Sequence, residues 1–408
     1  MESYRFLLDL AIILLSTKVL GLITKKVSMP QVVGALLAGL ILGPAMFDIL
    51  HETSLIQQVA EIGVIVLMFC AGLETDISEM KKSGKAAFVI ALMGVIVPLV
   101  GGLGVAYIFN RPSLIHSSAT ATELLQNIFI GVILTATSVS ITVETLKEMG
   151  KLNTRAGNAI LGAAVIDDIL GIVALTVITS MADPSVNIGV VLMKIVGFFV
   201  FVGVAGYVFY VFYKKWTEKS NKDLRRFVII AFVFCLLLSY CAEEFFGVAD
   251  ITGAFFAGLI ISNTQRTKYI ASRFETLSYL FLSPVFFASI GISVELPKMS
   301  VAVVSFAAIL TIVAVLTKIL GCGLGAKMCG YTGKDSLRIG AGMVSRGEVA
   351  LIVASKGASC GLMAPEFLGP VVIVVVITTI ISPILLKLAY RSHQDSEELV
   401  GNVEEKTA

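Results

Sequence analysis

Charge and histidine are scarce in this chain. Charged residues are 15% of its 408 positions and histidines number three, against a charged fraction of roughly 25% in a soluble domain. A water-soluble globule is therefore excluded. With a net charge of +2 and no basic segment interleaved with aromatics, a nucleic-acid partner is excluded as well. His51, His116 and His393 fall in loops or the terminal tail and read as solvated surface rather than as a pH sensor. The six cysteines (Cys70, Cys235, Cys241, Cys322, Cys329 and Cys360) are scattered, mostly within apolar runs, without paired metal-ligand spacing, so they read as small packing residues and no cofactor is expected.

Hydrophobic residues, by contrast, make up 57% of the chain. Thirteen apolar runs of about 17–25 residues alternate with polar breaks, the first beginning near Tyr4 and the last near Pro365. This predicts an all-α polytopic membrane protein with about 13 transmembrane helices. The first run is long, its flank carries Glu2 and Arg5, and no small-residue cleavage site follows, so it is expected to be retained rather than removed as a signal. Loops after odd-numbered runs hold twenty Lys and Arg, whereas the opposite side holds five: Arg5, Arg111, Lys194, Lys298 and Lys356. The positive-inside rule then puts the N-terminus outside and the C-terminus in the cytoplasm of a plasma or inner membrane. Residues 1–390 form the expected membrane domain and 391–408 a short cytoplasmic tail.

An internal repeat underlies the runs. Gly34-Ala-Leu-Leu-Ala-Gly-Leu-Ile returns as Gly253-Ala-Phe-Phe-Ala-Gly-Leu-Ile, 219 positions on. The same offset carries Gly72 to Gly291, Asp76 to Glu295 and Met80 to Met299, and a shorter one carries Ile130-Gly131 to Ile339-Gly340. Seven runs separate the matched elements, an odd number, so the two copies cross the membrane in opposite senses. Inverted repeats are the architecture of alternating-access transporters, with discontinuous helices at the substrate site. Thr135-Ala-Thr-Ser-Val-Ser-Ile-Thr142 in run 5 is rich in hydroxyls and β-branches and poor in helix formers, and its counterpart in run 12 is Met343-Val-Ser-Arg-Gly-Glu348.

Adjacent acids Asp167 and Asp168 sit inside the apolar run from about Asn158 to Met181, ~15 Å along a helix from its nearer end and close to the bilayer midplane. A carboxylate there costs on the order of 2.5–3.5 kcal/mol, so the pair must meet water, a counter-charge or a transported ion. Neighbours on a helix diverge by about 100°, so one acid should face a cavity and the other a neighbouring helix. Lys318 in run 11 is the candidate counter-charge, with snorkelling to the surface as the alternative. Arg346 cannot release a proton and is expected to pair with Glu348 or another acid as a structural charge.

At these residues the chain resembles the monovalent cation:proton antiporter superfamily, and within its second branch the NapA-type sodium/proton antiporters. Thr135-Ala-Thr-Ser-Val139, Ala163-Ala-Val-Ile-Asp-Asp168 and Gly342-Met-Val-Ser-Arg-Gly-Glu-Val349 carry the resemblance. It implies an inverted-repeat fold with two crossing broken helices, and a homodimer in which dimerisation helices hold a mobile core near 85–181 and 300–388. It further implies elevator-like transport, with sodium or lithium and protons competing at Asp168. Asp167 would be the second acid, Lys318 the lysine that pairs with it when sodium is absent, and Thr137 and Ser138 neighbours of the ion. The Asp-Asp pair corresponds to the electrogenic form. The chain departs from the Kef-type potassium relatives, which carry a large nucleotide-binding domain after the last span. Potassium/proton exchange stays open, since carboxylate and backbone oxygens discriminate poorly. An intramembrane aspartyl protease is disfavoured: its acids share a proton from separate helices, and no Gly-X-Gly-Asp is present. A passive channel lacks a filter-like loop.

Overall fold

A computed structural model describes the backbone of residues 4–407 except 27–28, 76, 112–114, 116–118, 183–187, 220–223, 295–299 and 360. Side chains at 77–82, 180, 182, 218–219, 348, 352, 355–356, 359, 365 and 392–407 are also outside the description. Helices follow in the order α1 (Arg5–Lys26), α2 (Gln31–Leu42), α3 (Ser54–Glu74), α4 (Ile77–Phe109), α5 (Glu123–Ile133), α6 (Val139–Glu148), α7 (Arg155–Ala182) and α8 (Ile188–Lys219). Then come α9 (Leu224–Phe246), α10 (Asp250–Ser262), α11 (Thr267–Leu277), α12 (Ser283–Ile292), α13 (Val301–Met328), α14 (Gly333–Gly342), α15 (Glu348–Ser359) and α16 (Leu368–Thr407). All the regular structure among the described residues is helical, as expected where hydrocarbon offers the backbone no partner but itself.

Nine helical segments among the described residues are long and apolar enough to cross a membrane. Gln31–Leu42, Glu123–Ile133 and Asp250–Ser262 are shorter apolar helices at three of the other predicted runs. Gly43-Pro44 stops α2, because the residue before a proline is pushed out of helical conformation, and α10 ends at Asn263. The two predicted breaks are present, between α5 and α6 at Leu134–Ser138 and between α14 and α15 at Met343–Gly347. Residues 391–407, expected as a tail, continue the backbone helix of α16.

Packing falls into two groups. In one, α2 lies on α1 and α12, α3 on α10 and α12, and α9 on α10; in the other, α4 lies on α5, α7 and α13, and α16 on α13, α14 and α15. The groups meet chiefly where α6 touches α2 and α3, where α16 touches α2, and where α7 leads into α8.

The repeated glycines are the contact points of the first group. A Cβ on Gly39 would stand 2.0 Å from the carbonyl oxygen of Ala288 on α12, and one on Gly291 would stand 2.5 Å from that of Leu36 on α2. The mirror contact joins α3 to α10: a Cβ on Gly72 would stand 2.1 Å from Phe255 O, and one on Gly258 2.2 Å from Phe69 O. Each copy of the repeat thus packs its second run against the third run of the other copy, and backbone approach this close requires glycine at both sides.

Gly72→Ala is expected to lower the melting temperature in detergent by several degrees, in line with overpacking penalties of about 1–3 kcal/mol. Gly104→Ala, where a Cβ meets nothing within 4 Å, is expected to leave it unchanged or slightly raised. A thermal-shift assay of both variants checks the contrast.

Candidate functional site

The breaks bring two extended segments together. Ser138, at φ −89° and ψ 104°, donates its N–H to Ser345 O at 2.8 Å, and Ser345 Oγ donates back to Ser138 O at 2.8 Å. Thr142 Oγ1 donates to Gly342 O at 2.6 Å, with its oxygen 2.9 Å from Ser345 Oγ. On the far side, α16 supports the second break through Thr379, whose hydroxyl donates to Arg346 O, and through Ser382 Oγ on Ala341 O at 3.4 Å. Groups that an unbroken helix would have bonded internally are bonded across the crossing instead.

Helix ends carry partial charge, positive at the N-terminus and negative at the C-terminus. At the crossing, the C-terminal ends of α5 and α14 concentrate carbonyls, and the fully buried Arg346 answers them. Its Nη2 donates to Leu134 O at 2.7 Å and Ala314 O at 3.3 Å, and its Nη1 to Val344 O at 2.8 Å. These donors go to carbonyls of α5, α13 and the second break, and the Asp167 carboxylate lies close enough to act on the guanidinium through its charge. The Glu348 side chain lies outside the described ones. A planar guanidinium with five fixed donors suits three acceptors on separate elements, which a lysine does not.

Asp167 and Asp168 lie midway along α7 and differ sharply. Asp167 is buried and accepts from Lys318 Nζ of α13 with both carboxylate oxygens, each at 3.1 Å. Lys318 is 0% exposed, so it does not snorkel. Asp168 is partly exposed, as is every residue from there to Leu175, and a Cβ on Gly171 would meet nothing within 4 Å. This divergence is the one that adjacent helical positions impose. Thr137 Oγ1, buried beside the Asp167 carboxylate, closes no hydrogen bond of good geometry among the described residues. Ser138 Oγ has Ser140 Oγ as its partner, at 3.2 Å.

Gly94 on α4 was not singled out in the sequence. A Cβ there would stand 2.6 Å from Cys322 Sγ and in ordinary contact, at 3.5 and 3.8 Å, with Lys318 Nζ and Asp167 Oδ1, so this glycine makes room for the Cys322 thiol beside the buried pair. One glycine among 36 carries no signal of that kind. Thr379 was equally silent, since a hydroxyl in a membrane helix commonly bonds back to its own backbone.

The family model described as sodium/hydrogen exchanger, transmembrane, matches residues 11–389. The chain belongs to this family. Its relatives include the Na(+)/H(+)-K(+) antiporter GerN of Bacillus cereus, 38% identical over 95% of this chain and 97% of that one. The probable Na(+)/H(+) antiporter GerT of Bacillus cereus is 41% identical over 94% and 98%, and an Na(+)/H(+) antiporter of Enterococcus hirae is 37% identical over 93% and 96%. The fold matches that of the sodium proton antiporter MjNhaP1 from Methanocaldococcus jannaschii, with a TM-score of 0.67 at 20% identity over 95% of this chain and 97% of that one. This exchanger is therefore a multi-pass membrane protein, a transporter rather than an enzyme, as the apolar runs and the paired acids suggested.

Removing the Lys318 charge would leave Asp167 buried without its hydrogen-bonded counter-charge. Lys318→Gln is expected to destabilise the exchanger by about 3–5 kcal/mol, the penalty typical of breaking a buried pair from one side. The double variant Asp167→Asn/Lys318→Gln should recover most of the loss, measured by thermal unfolding in the same detergent. Arg346→Lys is expected to lose nearly as much as Arg346→Ala, because a single ammonium cannot reach all three carbonyls.

Proposed function

We propose that this exchanger is a secondary active sodium(lithium)/proton antiporter in which sodium and protons compete at Asp168. The observation that carries the reading is the buried Asp167–Lys318 pair standing against the crossing of two broken helices, with the partly exposed Asp168 next to it. Oxygen donors collect there: two carboxylates, the Thr137 hydroxyl and the carbonyls of the breaks, a set suited to a hard monovalent cation.

In the proposed cycle, sodium binds the ionised Asp168 and draws on Asp167, which lets go of Lys318; protonation of Asp168 abolishes its charge and expels the ion. Exclusion of one species by the other couples the two fluxes. Charge on both acids and the lysine makes the exchange electrogenic. The sparse packing between the two helix groups supports an elevator-like movement of a core near residues 85–181 and 300–388 against a scaffold. Helices α1 and α8 leave most of their residues unburied within the chain, which supports a homodimer built on the scaffold side. The loop asymmetry of Lys and Arg supports an outside N-terminus and a cytoplasmic C-terminus in a plasma or inner membrane. The cycle calls for no cofactor.

A second reading, potassium as a transported ion, is favoured by one observation: potassium appears in the name of the GerN relative. Proteoliposomes with an acid interior and a pH-sensitive dye separate the two. Dequenching on addition of sodium or lithium, with voltage clamped by valinomycin and potassium, is the expected result; a response to potassium alone, without valinomycin, would shift the assignment. Asp168→Asn is expected to abolish exchange while preserving the fold by thermal shift, and normal exchange in that variant would sink the proposed site.

A further inference from the structure

The last turn of α6 is charged, and the hydrogen-bond and ion-pair partners found for Lys147 and Glu148 lie in the other packing group, while Lys387 of α16 acts on Glu148 only through its charge. Glu148 accepts the backbone N–H of Gln31 at 2.7 Å and of Val32 at 3.2 Å, the first two of α2. Helix α2 has Pro30 at its N-cap position and no side-chain cap of its own, so these orphan donors are satisfied by a carboxylate from α6. Lys147, one residue earlier, pairs with Glu74 of α3 at 3.1 Å and Glu275 of α11 at 3.5 Å.

Charge placement makes the direction of the contact plain. A carboxylate at the C-terminal end of its own helix faces a partial negative charge, whereas the N-terminus of another helix attracts it. Glu148 is misplaced for α6 and correctly placed for α2. Two adjoining cavities of about 340 and 290 Å³ flank the contact and share Gln31, Glu144, Glu148 and Tyr279 in their walls. Water in them can reach Lys147, Glu148, Glu275 and the N-terminus of α2 on separation, so the contact can open with these groups hydrated.

We propose that this turn is a releasable clamp: Glu148 and Lys147 are positioning residues that hold the α6 side of the molecule on α2, α3 and α11 in the state seen here and release when the two groups move. The proposal rests on the alternating-access reading above and adds the place where the moving part is fastened. Because one turn reaches three scaffold helices, the three contacts break together, which makes the release a single step.

The test joins the two sides and asks whether exchange survives. Gln31 and Met149 line the same cavity, and Gln31→Cys/Met149→Cys leaves both the Glu148 carboxylate and the α2 backbone intact. A short, reducible bis-methanethiosulfonate reagent applied to this variant in proteoliposomes should cut exchange by about tenfold or more, as expected where a conformational step limits turnover. Dithiothreitol should restore it, and the wild-type protein should be insensitive to the reagent. Linked protein that exchanges at the unlinked rate would show that the contact never opens. Failure of the bridged peptides to form, read by mass spectrometry, would show that the turns are not adjacent; either result overturns the clamp. Glu148→Ala should shift the KM for the cation by about threefold or more, because KM carries the balance between the two facing states, while Glu148→Gln, which still accepts, stays nearer wild type. Equal, unshifted KM values in both variants would reduce Glu148 to an ordinary cap. Absence of exchange in untreated wild type with any cation would instead count against the antiport reading.

Discussion

A helix that stops inside hydrocarbon leaves backbone donors and acceptors with no water to take them. Two such stops, placed side by side, can satisfy one another, and that is the constraint around which this exchanger is organised. Ser138 and Ser345 exchange backbone and side-chain hydrogen bonds, Thr142 reaches across to Gly342 O, and Arg346 lies among the carbonyls that face inward. Neither break would be tolerable alone. Together they assemble polar groups at a depth where the surrounding lipid offers none, and α7 lays its two acids beside them.

A buried ion pair adds little to net stability, because desolvation offsets most of the attraction. The Asp167–Lys318 contact is therefore better understood as a device for holding a charge where an uncompensated one could not stay. Both carboxylate oxygens are engaged at equal distance, and Gly94 leaves room for the Cys322 thiol beside the pair. On the proposed exchange, the same balance that makes the pair a weak stabiliser makes it replaceable by a cation.

Much of this was legible in the residues. The acids at midplane, the hydroxyl-rich stretch and the offset of 219 positions between repeated glycines each have a physical reading that leads to crossing broken helices, because hydropathy, helix propensity and repeat register are local properties. Arg346 was legible as a structural charge, whereas its three carbonyl acceptors were not, since a sequence shows side-chain charges and hides the partial charges of helix ends. The short lengths of α2 and α10 escaped because apolar residues continue past the point where Gly43-Pro44 or a turn stops the helix. Glu148 carried no signal in the sequence, because its role at α2 depends on a contact between positions 117 residues apart.

The interleaving of the two copies bears on how the chain is made. Helix α2 presents Gly39 to α12 and α10 presents Gly258 to α3, so the groove on each early helix is completed only by a helix from the other half. During synthesis α2 and α3 must wait in the bilayer, their glycine faces open, until more than half of the remaining chain has been inserted. Insertion and folding are thereby separated in time for these helices: α2 and α3 can enter the membrane on hydropathy alone, but their glycine-faced packing is a property of the nearly finished polypeptide.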